Sequence, residues 1–133
     1  MEKSNPYEVF ANRMEEKYPK MFAGPYGGFA VGQGWWPIIE SLCGHIQKHT
    51  DWWNKNHEKH PVIEQVVVSQ IKEKFGGLRF YYDGGDDYIR GLVSMAESWA
   101  AKSCEQCGAP GKIVGGGWLK ALCVEHAKQR GAE

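Results

Sequence analysis

Three cysteines and a histidine near the end of the chain have the spacing of metal ligands. Cys104 and Cys107 have two residues between them, as do Cys123 and His126, and fifteen residues lie between the pairs. Zn²⁺ prefers four tetrahedral Cys and His ligands, and a pair this close can bind it from one tight turn. The spacing predicts one Zn²⁺ per chain. With four protein ligands and no open position, the predicted role is structural.

The residues around these ligands predict a treble-clef-like zinc module. Residues 111–122 are expected to form a β-hairpin and residues 123–130 a short helix that carries the second ligand pair. The predicted organisation is an α+β domain over 1–103, with a zinc-binding module over 104–133 packed on it. A disulfide between Cys104 and Cys107 is the weaker alternative, because thiols stay reduced in the cytosol.

The composition indicates a globular protein with balanced charge. Sixteen basic residues match sixteen acidic ones, and 42% of the residues are hydrophobic. Proteins that coat nucleic acid through phosphate attraction are usually basic, so this class is disfavoured. The N-terminus has no apolar secretory segment, and no run approaches the roughly 18 apolar residues that span a bilayer. We therefore expect a cytoplasmic location and no membrane partner.

The hydrophobic pattern predicts the elements that position these residues. Helices are expected over 6–18, over 37–49 with a possible continuation towards residue 59, and over 88–103. Strands are expected over 62–71 and 78–83, joined at Gly76-Gly77 by a tight antiparallel hairpin. The predicted fold class is α+β, with two or three helices packed on a small antiparallel sheet.

The predicted hairpin also carries candidate ligand-binding residues. Side chains alternate along a strand, so Lys72 and Lys74 share one face of the first strand, and Arg79 and Tyr81 share a face of the second. Cationic groups beside aromatic rings, here including Phe75, can hold a phosphate and a base together. The alternative is a solvated hairpin edge protected by lysines.

A glycine- and aromatic-rich stretch, residues 24–37, is the other candidate binding segment. Its composition predicts a loop whose glycines let the backbone approach another group closely. Trp35 and Trp36 are candidate platforms on which a ring could stack. The hypothesis is that this loop and the hairpin form one site, although either tryptophan could instead belong to the core.

Two further clusters have simpler explanations than a second metal site. His45 and His49 lie four residues apart on a predicted helix but lack supporting carboxylates. Asp83, Asp86 and Asp87 precede another predicted helix, where a turn and an aspartate N-cap explain them without Mg²⁺. Cys43 is expected in the core, because free cysteine packs as a small hydrophobe.

Several motifs together resemble a family of small, largely uncharacterised bacterial and phage proteins. They are QIKEKFGGLRFYYDGG, IRGLVSMAESWA, CEQCGAPGKIVGGGWLKALCVEHA and GFAVGQGWWPIIESLC, and the resemblance covers roughly residues 22–128. It implies a zinc-binding tail and a phage or prophage setting, with the host cytoplasm as location. In that setting small proteins often bind a host component, including nucleotide immune signals.

The leading functional expectation is a non-enzymatic binding protein. Its partner would be a small anionic, nucleotide-type ligand or a host protein, with a possible anti-defence role. Nucleic-acid binding through the zinc module and the basic hairpin is the first alternative, against which the neutral charge counts. A small nucleotide-processing enzyme is the second.

Overall fold

Four helices and two small sheets make up residues 5–131, the part of the chain that the computed structural model describes. The helices are α1 (Pro6–Lys17), α2 (Trp36–Asn56), α3 (Asp87–Ala100) and α4 (Val124–Arg130). The strands are β1 (Phe29–Ala30), β2 (Val67–Lys74), β3 (Gly77–Asp83), β4 (Lys112–Val114) and β5 (Lys120–Leu122), and a 3₁₀ turn covers Gln33–Trp35. This α+β architecture confirms the predicted fold class.

The larger sheet has the order β1-β2-β3. β2 pairs antiparallel with β3 as predicted, whereas β1, which was not predicted, adds a short parallel edge. The expectation that the first long strand begins at residue 62 was wrong, because β2 begins at Val67. The Asn54 side chain of α2 bonds both the N–H and the C=O of Ile63. Those backbone groups are therefore not available to a strand ladder.

Three helices and the sheet enclose one main core. Its largest fully buried side chains are Trp35, Phe10, Met14, Met21, Ile39, Ile46, Ile71, Leu78 and Ile89. Cys43 is also completely buried, as expected. Burial raises the pKa of its thiol far above the ordinary value, so the thiol is neutral and packs as an apolar group.

A second, smaller cluster lies at the C-terminal end. Its buried members are Cys104, Val114, Leu122, Cys123 and Ala127. Two of these five are predicted metal ligands, so the cluster has little apolar surface of its own. Among the helices within residues 5–131, none combines the length and apolarity needed to cross a membrane.

Candidate functional site

The four predicted metal ligands come together in space. One ligand atom from each of Cys104, Cys107, Cys123 and His126 lies within 4.8 Å of all the others. The Sγ atoms of Cys107 and Cys123 are 3.8 Å apart, and His126 Nδ1 lies 3.2 Å from Cys123 Sγ and 3.4 Å from Cys104 Sγ. Ligands of a tetrahedral Zn²⁺ lie about 3.5–3.8 Å from one another. The cluster can hold a metal ion of this size, and its cysteines are not paired as disulfides.

The first ligand pair sits on a tight turn between α3 and β4. The Cys104 N–H donates to the carbonyl of Ala109 at 2.7 Å, and the Gly108 N–H donates to the carbonyl of Cys104 at 2.8 Å. Gly108 has a φ of +82°, which a side chain would disfavour. We call residues 104–109 the knuckle. It turns both thiols to the same side.

The second pair is set by the start of α4. Cys123 is the N-cap of this helix, and its sulfur accepts a hydrogen bond from the His126 N–H at 3.4 Å. The imidazole one turn into the helix therefore lies beside the thiol that caps it. The β4–β5 hairpin brings this helix start back to the knuckle.

Backbone N–H groups stabilise negative charge on the thiols. Burial raises the pKa of Cys104, but the N–H groups of Cys123, Cys107 and Gln106 donate to its sulfur, and the resulting pKa is about 6. At Cys107, the N–H of Ala109 lowers the pKa, but burial and the neighbouring thiols raise it above the ordinary value. Adjacent thiolates repel each other, and the positive charge of a bound cation would offset this repulsion.

The glycine- and aromatic-rich loop packs against the knuckle. The Gly34 N–H donates to the carbonyl of Glu105 at 2.7 Å, and the Gly32 N–H donates to the Glu105 carboxylate at 2.8 Å. A Cβ on Gly34 would lie 2.1 Å from the Cys104 carbonyl oxygen, and one on Gly32 would lie 2.4 Å from that of Glu105. The close backbone approach predicted for this loop is therefore made to the knuckle.

Trp35 belongs to the core, and the prediction that it stacks on a ligand was wrong. Its side chain is 0% exposed, and its indole N–H donates to the Ser103 carbonyl at 3.0 Å. The apolar ring fills the interior while the N–H binds the segment just before Cys104. A site formed jointly by Trp35 and the hairpin is excluded by this burial.

Trp36 is partly buried and joins α2 to α1. Its ring stacks on Phe10 with the centroids 4.6 Å apart, and Tyr7 packs edge-on at 4.9 Å. Its Nε1 is buried without a hydrogen-bond partner among residues 5–131. Helix packing accounts for the position of this ring, and ligand stacking on Trp36 stays a prediction.

An ion cluster fastens the metal module to the sheet. Lys120 of β5 lies 2.8 Å from the Glu73 carboxylate of β2 and 3.6 Å from that of Glu105. Nearby, a Cβ on Gly76 at the hairpin tip would lie 2.9 Å from Ile113 of β4. The module therefore contacts the rest of the protein at the glycine-rich loop and at the β2–β3 hairpin.

The outer face of the β2–β3 hairpin carries the predicted ligand-binding residues. The register places Lys72 opposite Arg79 and Gln70 opposite Tyr81, while Ile71 and Phe80 point into the core. Lys72, Lys74, Arg79 and Tyr81 therefore share one face, which we call the basic face. Its lysines and arginine form no ion pair within residues 5–131. Their role in binding stays a prediction.

The tip of this hairpin has an exposed aromatic residue in an unusual backbone conformation. Phe75 has a φ of +55° and is 68% exposed. Gly76 also has a positive φ, whereas Gly77, expected to share this role, does not. Two positive φ values define a type I′ turn, which favours Asn-Gly. Lys74 Nζ lies 5.6 Å from the Phe75 ring, and Lys72 Nζ lies 5.7 Å from the Tyr81 ring.

Two of the other candidates, Asp86 and His49, have structural roles, and the expectation that His49 lacks a neighbouring carboxylate was wrong. Asp86 is the N-cap of α3, accepting from the Ile89 N–H at 3.0 Å, as predicted for one of the two aspartates. Its other carboxylate oxygen lies 3.0 Å from His49 Nε2. Within residues 5–131, the Cys and His set of the knuckle and α4 is the one cluster with metal-ligand geometry.

Comparisons with known proteins do not assign this chain to a family. No family model, curated protein or solved structure matches it.

Proposed function

We propose that the cluster of three cysteines and a histidine binds one structural Zn²⁺. The donor set supports this identity, as do the separations of its ligand atoms, which are 3.2–3.8 Å for three pairs and within 4.8 Å for all of them. Protein purified under reducing conditions should contain one zinc per chain by elemental analysis. Replacement by Cd²⁺, which binds the same thiolates, should preserve ligand binding. A purified chain without zinc would contradict the proposal.

We further propose that the protein is a non-enzymatic binding protein whose basic face takes a phosphorylated, nucleotide-type ligand. The supporting observation is the grouping of three unpaired cationic side chains with Tyr81 on the outside of one hairpin. Arg79 presents a planar fork that can bind two phosphate oxygens at once. Lys72, directly opposite Arg79, and Lys74, two residues nearer the hairpin tip, add charge on the neighbouring strand. These groups fix an anion in place.

Aromatic rings next to these cations suit a ligand that has a base as well as a phosphate. Tyr81 is 42% exposed and lies two residues along β3 from Arg79. Stacking of a base on such a ring contributes about 1–3 kcal/mol. Phe75 offers a second ring at the hairpin tip. A nucleotide bound with its phosphate at Arg79 could reach either ring.

Mass spectrometry of the denatured, purified protein would first identify any ligand that was bound to it. Isothermal titration calorimetry with that ligand, and with other nucleotides, then tests the proposal. Arg79→Ala should weaken binding at least tenfold, equivalent to about 1.4 kcal/mol. Arg79→Lys should recover only part of the loss, because the fork is gone. Arg90→Ala is the matched control, since this 78% exposed side chain lies on α3.

Two results would contradict a ligand site at the basic face. One is wild-type affinity in a folded Arg79→Ala protein. The other is an equal loss in Arg79→Ala and Arg90→Ala, which would indicate a general charge effect. Zinc content and melting temperature should stay at wild-type values in all three variants.

Single-stranded nucleic acid is the second candidate, favoured by the open character of the basic face. A sheet surface that combines cations and exposed rings can follow an extended strand. With three phosphate contacts, the logarithm of affinity should fall with the logarithm of salt concentration at a slope of about −2. A labelled oligonucleotide titrated at several salt concentrations separates this candidate from a mononucleotide.

The phage setting implied by the sequence resemblance would make the target a host molecule. A host nucleotide signal fits the basic face, and an anti-defence role follows if the protein sequesters it. A host protein remains the alternative partner. Titration of cyclic and linear nucleotides into wild type and Arg79→Ala distinguishes a nucleotide target from a protein target. A chain that binds only a host protein would release or absorb no heat of binding with any nucleotide.

A further inference from the structure

Helix α3 has two apolar stripes, of which one faces solvent. The inner stripe is buried in the main core and consists of Ile89, Val93, Ala96 and Ala100. The outer stripe consists of Tyr88, Leu92, Met95 and Trp99, of which Leu92 is only partly exposed and also packs against the main core. Tyr88 is 59% exposed, Met95 67% and Trp99 60%, whereas the solvent face of a surface helix is usually polar. We call this outer stripe the α3 seam.

The residues of the seam have the spacing of helices that pack side by side. They follow one another at intervals of four, three and four residues, as in the apolar seam of a coiled coil. Gly91, Ser94 and Ser98 flank the seam, and all three are exposed. These small, uncharged residues allow another helix to approach closely.

Helix α2 extends the apolar surface beside the seam. Pro37, Ile38 and His45 line a groove of about 370 Å³ together with Leu92 and Trp99. A second cleft shares His45 and continues to Trp52 and Tyr88. Trp52 is 54% exposed. The seam and these clefts form one continuous surface rich in aromatic residues and methionine, a composition typical of interface cores.

We propose that this surface binds a second copy of the same chain, with the two α3 helices antiparallel. The seam is symmetric about its midpoint between Leu92 and Met95. In an antiparallel pair, Leu92 therefore meets Met95 of the second copy, and Tyr88 meets Trp99. A two-fold interface requires such self-complementarity, because each patch must match itself.

The charges at the ends of α3 favour the antiparallel arrangement. Asp87 lies in the first turn of the helix, is 90% exposed and forms an exposed ion pair with Arg90 of the same helix, while Lys102 lies just beyond the last turn and is exposed. Antiparallel packing brings Asp87 of one copy towards Lys102 of the other at both ends. It also places opposite ends of the two helix dipoles side by side. A parallel pair would instead place like charges together.

The exposed area is sufficient for a weak dimer. With about 150–250 Å² for a whole aromatic side chain, the exposed parts of Trp52, Tyr88, Trp99 and Met95 offer about 450 Å² per chain. The partly exposed walls of the groove add to this. Two copies would bury about 900 Å² from these four side chains, which is below the roughly 1,200–2,000 Å² of stable interfaces and within the range of weak, transient ones. A dissociation constant in the micromolar range is expected.

Sedimentation velocity of the zinc-loaded full chain over a range of concentrations tests the proposal. The wild type should shift from 15.0 kDa to twice that mass as the concentration rises. Met95→Glu should raise the dimer dissociation constant at least about 100-fold, because the substitution occurs twice in each interface. Val124→Glu is the control, since Val124 is equally exposed, at 71%, but lies on α4.

A charge-swap mixture tests the antiparallel register. Leu92→Arg alone should also give monomers. In a mixture of Leu92→Arg and Met95→Glu chains, the introduced arginine would face the introduced glutamate, while the other central contact keeps its native Leu–Met pair. The mixed dimer should therefore form where neither variant pairs with itself. Parallel helices would not bring these two charges together.

Three outcomes would overturn the proposal. A wild type that stays monomeric at about millimolar concentration would mean that a different partner covers the surface. A dimer as stable in Met95→Glu as in Val124→Glu would place the interface elsewhere. Failure of the mixture to dimerise, with both variants folded by circular dichroism, would exclude the antiparallel pairing of α3.

Discussion

Gly34→Ala should destabilise the whole protein and weaken metal binding, although Gly34 is not a ligand. The Cβ of the alanine would lie 2.1 Å from the Cys104 carbonyl oxygen and 2.5 Å from the Gly108 nitrogen. Carbon and carbonyl oxygen normally stay about 3.3 Å or more apart, so the loop and the knuckle must separate by about 1 Å. The contacted atoms are backbone atoms, which cannot rotate away as a side chain would.

The cost follows from the contacts that this separation disturbs. Overpacking costs about 1–3 kcal/mol. The 2.7 Å hydrogen bond from the Gly34 N–H to Glu105 would lengthen or break, with a loss of about 1 kcal/mol. Replacing glycine by alanine also stabilises the folded state by about 0.4–1 kcal/mol, because it reduces the conformational entropy of the unfolded chain. The net destabilisation should be about 1–3.5 kcal/mol, which lowers the melting temperature by about 5–15 °C in a chain of this length.

Thermal unfolding of zinc-loaded protein and the rate of zinc transfer to a coloured chelator are the two assays. The displaced knuckle carries two of the four ligands, so transfer should be about 10–100-fold faster, as for other outer-shell changes. Gly116→Ala is the control, because a Cβ there would have nothing within 4 Å. Its melting temperature and transfer rate should match the wild type.

Wild-type stability of Gly34→Ala would refute the reasoning. It would mean that the loop does not pack against the knuckle at the distance described. Loss of stability with an unchanged zinc transfer rate would show that the loop and the metal site are energetically independent.

Three further predictions concern the metal module and the hairpin. Cys107→Ser should release the metal and speed amide hydrogen exchange across residues 104–130; unchanged exchange would contradict a structural role. Lys120→Ala should lower the free energy of unfolding, measured with denaturant, by about 2 kcal/mol. This loss is smaller than for breaking a fully buried ion pair, because Lys120 is partly exposed. Burial raises the pKa of Glu73, but Lys120 and a backbone N–H hold it below its ordinary value of 4.5. The Glu73–Lys120 pair therefore stabilises the protein above about pH 4.5, and this stabilisation is lost as pH falls through the folded-state pKa of Glu73. The melting temperature of Lys120→Ala should consequently decline less on acidification than that of the wild type. Phe75→Asn should stabilise the hairpin by about 1 kcal/mol, because asparagine tolerates the positive φ at this position. If the same variant also loses ligand binding, Phe75 is a residue that contacts the ligand.

Local patterns predicted the helices, the antiparallel hairpin and the cluster of three cysteines and a histidine well. Each depends on residues close in sequence: apolar side chains at helical spacing in α3, Asp86 before its first turn, and cysteines two residues apart at the knuckle. The two strand patterns and the glycine pair between them predicted that Lys72 and Arg79 belong to one hairpin. The strand register in the structure then shows that the two side chains lie on the same face.

Long-range contacts account for what the sequence did not predict. The glycines and aromatics of residues 24–37 indicated close approach but not the group approached, which is far along the chain: Gly32 and Glu105 are 73 positions apart. The two-residue strand β1 has too little sequence to carry a periodic pattern. Trp35 and Trp36 are neighbours of identical type, and only packing makes one a core residue and the other a link to α1.

The contact between the glycine-rich loop and the knuckle has a consequence for how the chain folds during synthesis. Trp35 leaves the ribosome 68 residues before Ser103, the acceptor of its indole N–H. At about 5–20 residues per second, this interval is about 3–14 s, during which the indole N–H of this buried side chain lacks its acceptor. The surroundings of Trp35 are therefore completed only when the segment before the knuckle has been made. If the cluster binds zinc as proposed, the knuckle beside this acceptor would also need its metal, and a shortage of zinc would lengthen the time during which the new chain is open to proteases.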